Sequence, residues 1–246
     1  MVSVIIPAFN EVGTITEVIA IALHHPLVDE VLVVDDGSKD ETAQVAEAAG
    51  ARVIRLGENF GKAAALDAGV RSAKSSTLLF LDADVTGHTQ QTLSQIMQPV
   101  LEGRFEMNVG LRARSTLMLN RTLRFFPIIG GERALTRRLW EAVPANSVVG
   151  FQIEIALNHT AKQLESGMGF ELVHGTTHLI KERKYGVVMG VARRLMMIEH
   201  ILSISFRLYV LGWINRRAVR IRQRVNAVVR AKLNDQDLSH NRRHTD

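Results

Sequence analysis

The chain has 246 residues, 46% of them apolar and 22% charged, which is enough for a core of ordinary size in one domain with an appendage. It contains no cysteine, which excludes a disulfide scaffold, a thiolate zinc site and a cysteine nucleophile and leaves carboxylates and imidazoles to hold any metal. The net charge of +5 is unevenly spread: residues 1–180 hold 15 Lys and Arg against 20 Asp and Glu, 181–232 hold 13 against 2, and 233–246 hold 2 against 3. The basic block reads as a surface for phosphates, anionic lipid or nucleic acid on a slightly acidic body. The opening Met-Val-Ser-Val-Ile-Ile-Pro has no basic n-region, which predicts a protein on the cytosolic side.

In chain order, Val2–Pro7 reads as a buried strand, Glu11–His24 as an amphipathic helix and Glu30–Val34 as a second strand. Thr42–Ala49 is a helix stopped by Gly50, Arg52–Leu56 a strand, Lys62–Ser72 a helix and Thr77–Leu81 an almost wholly apolar strand. This alternation predicts an α/β fold with parallel strands covered by helices on both faces. Ligands in such sheets bind beyond the carboxyl ends of the strands. Each of those ends carries polar residues: Pro-Ala-Phe-Asn-Glu (7–11), Asp-Asp-Gly-Ser-Lys-Asp-Glu-Thr (35–42), Glu-Asn-Phe-Gly-Lys (58–62) and Asp-Ala-Asp (82–84). Ser38, Asp40 and Thr42 read as turn formers and caps of the helix that starts there.

Further on, Thr92–Leu101 is a helix, Phe105–Arg112 a strand and Ser115–Arg124 a helix. Gly130-Gly131 precedes a helix ending near Val143, Gln152–Leu164 is another helix and Glu171–Ile180 a strand. Residues 191–214 form an amphipathic segment whose Glu199 and Arg207 argue against a membrane span. A helix over 216–233 carries Arg217, Arg220 and Arg224 on one side, and seven basic residues with no acid lie between 216 and 232. That is the profile of a helix on an anionic membrane surface; pairing with the acidic body or with a second subunit of an oligomer is the alternative. Nucleic acid fits less well, because no aromatics are interleaved with the basic residues.

Asp82 and Asp84 are separated by one residue directly after a buried strand, so their charges need compensation by a divalent metal such as Mg²⁺ or Mn²⁺ or by basic groups. The four motifs Val-Ser-Val-Ile-Ile-Pro-Ala-Phe-Asn-Glu (2–11), Val-Val-Asp-Asp-Gly-Ser-Lys-Asp-Glu-Thr (33–42), Asn-Phe-Gly-Lys-Ala-Ala-Ala-Leu-Asp-Ala-Gly (59–69) and Leu-Phe-Leu-Asp-Ala-Asp (79–84) together resemble the signature of the family 2 glycosyltransferases. The resemblance implies the GT-A fold, a mixed, mostly parallel sheet flanked by helices, a nucleotide-sugar donor, Mg²⁺ or Mn²⁺, and transfer with inversion. It places Pro7, Phe9 and Glu11 at the nucleoside and Asp36 at the base or ribose. It puts Lys62 by the donor phosphates, Asp82 and Ala83 at the donor, and Asp84 on the metal with Asp82 beside it.

By the same resemblance Gly131, with Gly130, would let the backbone approach the donor sugar or the acceptor, Glu154 would be the base for a hydroxyl acceptor, and His178 a late metal ligand. Arg183 and Lys184, with Lys181, resemble the diphosphate clamp of polyprenyl-phosphate (dolichol-phosphate) sugar transferases. Those enzymes commonly continue Gln-His-Pro-Pro after the aspartates, where this chain has Val85-Thr86-Gly87-His88. The sequence therefore predicts a catalytic domain over 1–186 and a basic helical tail over 187–246, peripheral on the cytoplasmic membrane face. The acceptor expected first is a polyprenyl phosphate or other membrane lipid. A soluble glycan or small phosphorylated acid is the runner-up, and a non-catalytic membrane scaffold is the competing class, against which the intact aspartate pair argues.

Overall fold

A computed structural model describes residues 1–112, 131–144 and 152–178. All of them belong to one compact unit, Met1–Leu202; the second unit, Ser203–Asp246, lies outside the described residues. The elements in order are β1 (Val2–Ala8), α1 (Ile15–Leu23), β2 (Val28–Asp35), α2 (Thr42–Ala48), β3 (Arg52–Arg55), α3 (Lys62–Ser72), β4 (Thr77–Phe80), β5 (Val85–Thr86) and α4 (Gln90–Leu101). After them come β6 (Met107–Arg112), β7 (Arg133–Thr136), α5 (Arg137–Ala142), α6 (Gln152–Ala161), β8 (Met168–Val173) and β9 (Thr177–His178).

Seven strands form one sheet in the order β3-β2-β1-β4-β7-β6-β8, and β5 pairs with β9 separately. The first four run parallel, β7 is antiparallel to both β4 and β6, and β8 is parallel to β6. This is the mixed, mostly parallel sheet that the sequence predicts. Central strands must be apolar on both faces, and the side chains of β1 divide accordingly. Val2, Val4 and Ile6 join the core that includes α1 and α4, whereas Ile5 joins the core built with α3, α5 and α6. Gly69 lets α3 press onto the sheet, since a Cβ there would stand 2.4 Å from Ile5 Cγ2.

Three details differ from the sequence reading. The glycine pair does not lead straight into a helix, because β7 intervenes between Gly131 and α5. A four-residue strand that starts with a buried arginine shows neither strand alternation nor an apolar run long enough to register. The strand expected over Glu171–Ile180 is two, β8 and β9, separated at Gly175, whose φ is +85°. Helix α1 begins at Ile15 rather than Glu11, the Glu11 carbonyl accepting from the N–H groups of Thr14 and Ile15. The expected helices over 115–124, 191–214 and 216–233 lie outside the described residues.

Candidate active site

The four loops that follow β1, β2, β3 and β4 gather at one edge of the sheet, and hydrogen bonds join them. Past the last register pair of β1 and β2, Ala8 with Asp35, the Asp36 N–H donates to the Ala8 carbonyl at 2.9 Å. Asn10, at φ +57°, donates its N–H to Ser38 Oγ at 2.9 Å and accepts from the Lys39 N–H through Oδ1 at 2.8 Å. The Glu11 N–H donates to Thr42 Oγ1 at 2.9 Å, and Thr14 Oγ1 donates to the Ala83 carbonyl at 2.7 Å. Ser38 and Thr42, expected to serve their own turn and helix, therefore bind the neighbouring loop. No side chain caps α2; Asp40 Oδ1 accepts from the N–H and the hydroxyl of Thr42.

Asp36 is 4% exposed, and its two oxygens accept from the N–H groups of Phe60 and Gly61, each at 2.8 Å. The aspartate expected at the base or ribose thus also shapes the turn that presents Lys62. Gly37, at φ +74°, lies so close to this turn that a Cβ would meet the Glu58 carbonyl carbon at 2.6 Å. Pro7 is half-buried at the end of β1, and Phe9 and Phe60 expose their rings at this edge.

Among the described residues the charged centre has four members. Lys62, the first residue of α3, donates from Nζ to Asp82 Oδ1 at 2.7 Å and to Glu154 Oε1 at 3.1 Å. Burial alone disfavours the ammonium, but the two carboxylates and their hydrogen bonds outweigh it and hold the Lys62 pKa above its ordinary value. Arg133, 1% exposed at the start of β7, lies behind Glu154. Its Nη1 donates to the Glu154 carbonyl and to Asn158 Oδ1, both at 3.4 Å, and its Nη2 is 3.9 Å from Glu154 Oε2. Burial pulls the Arg133 pKa down, with Glu154 and Asp82 opposing. Glu154 and Asn158 are four residues apart on α6 and so share the face turned to this arginine.

Gly131 completes the centre: a Cβ there would stand 2.0 Å from Asp82 Oδ2. Asp84 is buried one residue beyond Ala83. The β5–β9 register pairs His178 with Val85, which places the histidine backbone beside the residue that follows Asp84. Among the described residues no three His, Asp or Glu side chains are already gathered as a metal centre.

The structure therefore brings Lys62, Asp82 and Glu154, residues far apart in sequence, into one hydrogen-bonded group with Gly131 against it. Arg183 and Lys184 lie outside the described residues. The sequence reading missed Arg133, whose signal was a charge inside an apolar stretch, and the buried pair of His88 and Glu132, joined at 2.8 Å.

Residues 3–151 match the family model described as Glycosyl transferase family 2, and the chain belongs to that family. A glucosyl-3-phosphoglycerate synthase of Mycolicibacterium paratuberculosis is 30% identical over 193 residues, 63% of this chain and 58% of its own. A 4,4'-diaponeurosporenoate glycosyltransferase of Staphylococcus aureus is 38% identical over 89 residues, 34% of this chain and 24% of its own. The chain thus spans less than two thirds of the length of either relative. Among solved structures, glucosyl-3-phosphoglycerate synthase from Mycobacterium tuberculosis, in complex with Mn²⁺, uridine-diphosphate-glucose and phosphoglyceric acid, superposes with a TM-score of 0.62. The match is 26% identical and covers 72% of this chain and 71% of that one.

Proposed function

We propose that this chain transfers a sugar from a uridine-diphosphate sugar to an acceptor bearing a phosphate, with Mg²⁺ or Mn²⁺ as cofactor. The observation that carries the reading is the meeting of Asp82, Lys62 and Glu154 at the carboxyl edge of the sheet, with the Gly131 backbone against Asp82.

The donor set fits a hard divalent ion: Asp84 and Asp82 offer oxygens, and His178 is the third ligand to expect. Bound there, the metal would neutralise the charge that develops on the diphosphate leaving group. Pro7, Phe9, Glu11 and Asp36 would hold the nucleoside, Ala83 and Gly131 the sugar side, and Lys62, Arg183 and Lys184 the phosphates. The catalytic domain is 1–186, and the basic segment 187–246 brings it to its acceptor.

Two acceptors carry phosphate. A small phosphorylated acid is favoured by the mycobacterial relative and by the complex with phosphoglyceric acid. A polyprenyl phosphate is favoured by the charge of residues 181–232; the staphylococcal relative, named for the carboxylate 4,4'-diaponeurosporenoate, supports a membrane-lipid acceptor but not its phosphate. They differ in chemistry at Glu154. A phosphate nucleophile is already anionic, whereas a hydroxyl must lose a proton, which Glu154 would take on a lone pair that Lys62, bonded to Oε1, does not occupy. Glu154→Gln is therefore expected to abolish transfer to a hydroxyl and to spare transfer to a polyprenyl phosphate.

The test is UDP release from UDP-glucose with Mn²⁺, in the presence of phosphoglyceric acid or of a short-chain polyprenyl phosphate, with products identified by mass. Metal-dependent release that falls at least about 100-fold in Asp84→Ala supports the reading. Equal activity in Asp84→Ala, or in wild type stripped of metal by EDTA, overturns the metal assignment. The anomeric proton coupling of the product reads out inversion.

A further inference from the structure

The ladder between β4 and β7 ends with the pair of Phe80 and Arg133. Asp82, Asp84, Gly131 and Glu132 all lie beyond that pair, so β4–β7 ladder bonds do not set the distance between the two segments. On the far side the Glu132 carbonyl accepts from the Gly110 N–H at 2.9 Å, which ties it to β6 but not to the aspartates. On the near side a buried polar contact joins the segments: His88 Nε2 donates to Glu132 Oε1 at 2.8 Å, with the two side chains 1% and 2% exposed. His88 follows β5, which itself follows Asp84, and it precedes Thr89, whose hydroxyl caps α4.

Glu132 stands between two residues that touch the charged centre. Gly131 lies against the Asp82 carboxylate, and Arg133 points to the opposite face of the sheet, onto Glu154. A displacement of Glu132 is therefore passed to both. The other imidazole nitrogen, His88 Nδ1, is buried and has no hydrogen-bond partner among the described residues. Among the described residues Glu132 is the polar group that orients the ring, a costly arrangement where an apolar side chain would leave no polar atom to satisfy.

We propose that His88 and Glu132 are a positioning pair that sets the gap between the Gly131 backbone and the Asp82 carboxylate, and so the seat of the donor sugar relative to the leaving group. This rests on the transferase reading above. The pair acts through Gly131 and Asp82, and its loss shifts reacting atoms without removing a group that binds the nucleotide. Placement errors of this kind are felt in the rate of the bound complex more than in its formation.

The geometry of the bond supplies the test. The side-chain nitrogen of glutamine reaches the position of histidine Nε2, and that of asparagine only the position of Nδ1. In the full-length protein with Mn²⁺, His88→Gln is expected to keep kcat for UDP release from UDP-glucose within about 3-fold of wild type. His88→Asn and His88→Phe are expected to lower kcat about 30-fold or more, with UDP affinity, measured calorimetrically, unchanged within about 2-fold. Should His88→Phe fail to fold, the glutamine and asparagine variants, of similar polarity, still decide the matter.

Equal kcat in Gln and Asn variants overturns the proposal, whether both are fast or both slow. A loss of rate accompanied by an equal loss of UDP affinity also overturns it, since that is the mark of a disordered site rather than a misplaced one. Failure of the underlying reading looks different: wild type would then bind no UDP in the presence of Mn²⁺.

Discussion

At Gly131 an alanine methyl would fall 2.0 Å from Asp82 Oδ2, inside any permitted contact, so either the carboxylate or the backbone must move. Gly131→Ala is expected to break the 2.7 Å bond between Lys62 and Asp82 and to lower UDP-sugar turnover about 100-fold, the effect of misplacing a reacting group by about 1 Å. Steady-state kinetics alongside a thermal melt check this, and a rate within 2-fold of wild type would show that Asp82 can be moved without consequence. The glycine was visible in the sequence; its reason was not, because the partner that forbids a side chain is an aspartate 49 positions away. Lys62 is a similar case. The motif puts a lysine at the start of a helix, and only folding reveals that it bridges Asp82 to Glu154.

Among the elements, the strands that stand out most plainly in the sequence are β1, β2 and β4, since burial on both faces requires a continuous apolar run, while β3 and β6 were legible from shorter apolar stretches. β7 and β5 were not legible. The first has four residues beginning with an arginine, and the second has two, too few for any period to appear. Packing of loop on loop also has its consequence at this scale. Gly37→Ala would drive a Cβ into the backbone of Glu58 and force a left-handed conformation on alanine, so it is expected to destabilise the protein by about 1–3 kcal/mol. Denaturant titration measures it, and Tm unchanged from wild type would contradict it.

The junction of α1 and β2 is held to α4 by His25. Its Nε2 bonds the Gln90 carbonyl at 3.2 Å and Ser94 Oγ at 2.9 Å, while Nδ1 accepts from the Leu27 N–H at 3.2 Å. Burial pushes the His25 pKa below its ordinary 6.5, with the Gln90 carbonyl opposing. Because the folded state binds this proton less readily than the unfolded one, the contribution to stability is present above pH 6.5 and is lost as the pH falls through 6.5 toward the folded value. The drop in unfolding free energy between pH 7.5 and 5.5 is expected to be smaller in His25→Gln than in wild type. Equal pH slopes would remove His25 from the account.

For the whole molecule, the charge of the chain separates a slightly acidic body from the block of 13 basic and 2 acidic residues over 181–232. No helix among the described residues is long and apolar enough to cross a membrane. If the basic segment meets anionic lipid, reversing Arg217, Arg220 and Arg224 to Glu should cost at least about 3 kcal/mol of binding, near 1 kcal/mol for each charge removed. Co-sedimentation with phosphatidylserine vesicles at low and high salt reads this, and unchanged sedimentation of the triple variant would discard the membrane role. By itself the sequence determined the class of fold, the order of the first four strands and helices, and the four loops that carry the family's motifs, because burial on both faces and glycine-bearing turns leave local marks. Only the tertiary structure decided that Lys62, Asp82 and Glu154 form one charged group, that Arg133 backs it and that His88 reaches Glu132. Those contacts join residues 20 to 92 positions apart, and no local pattern encodes which distant side chain will balance a buried charge.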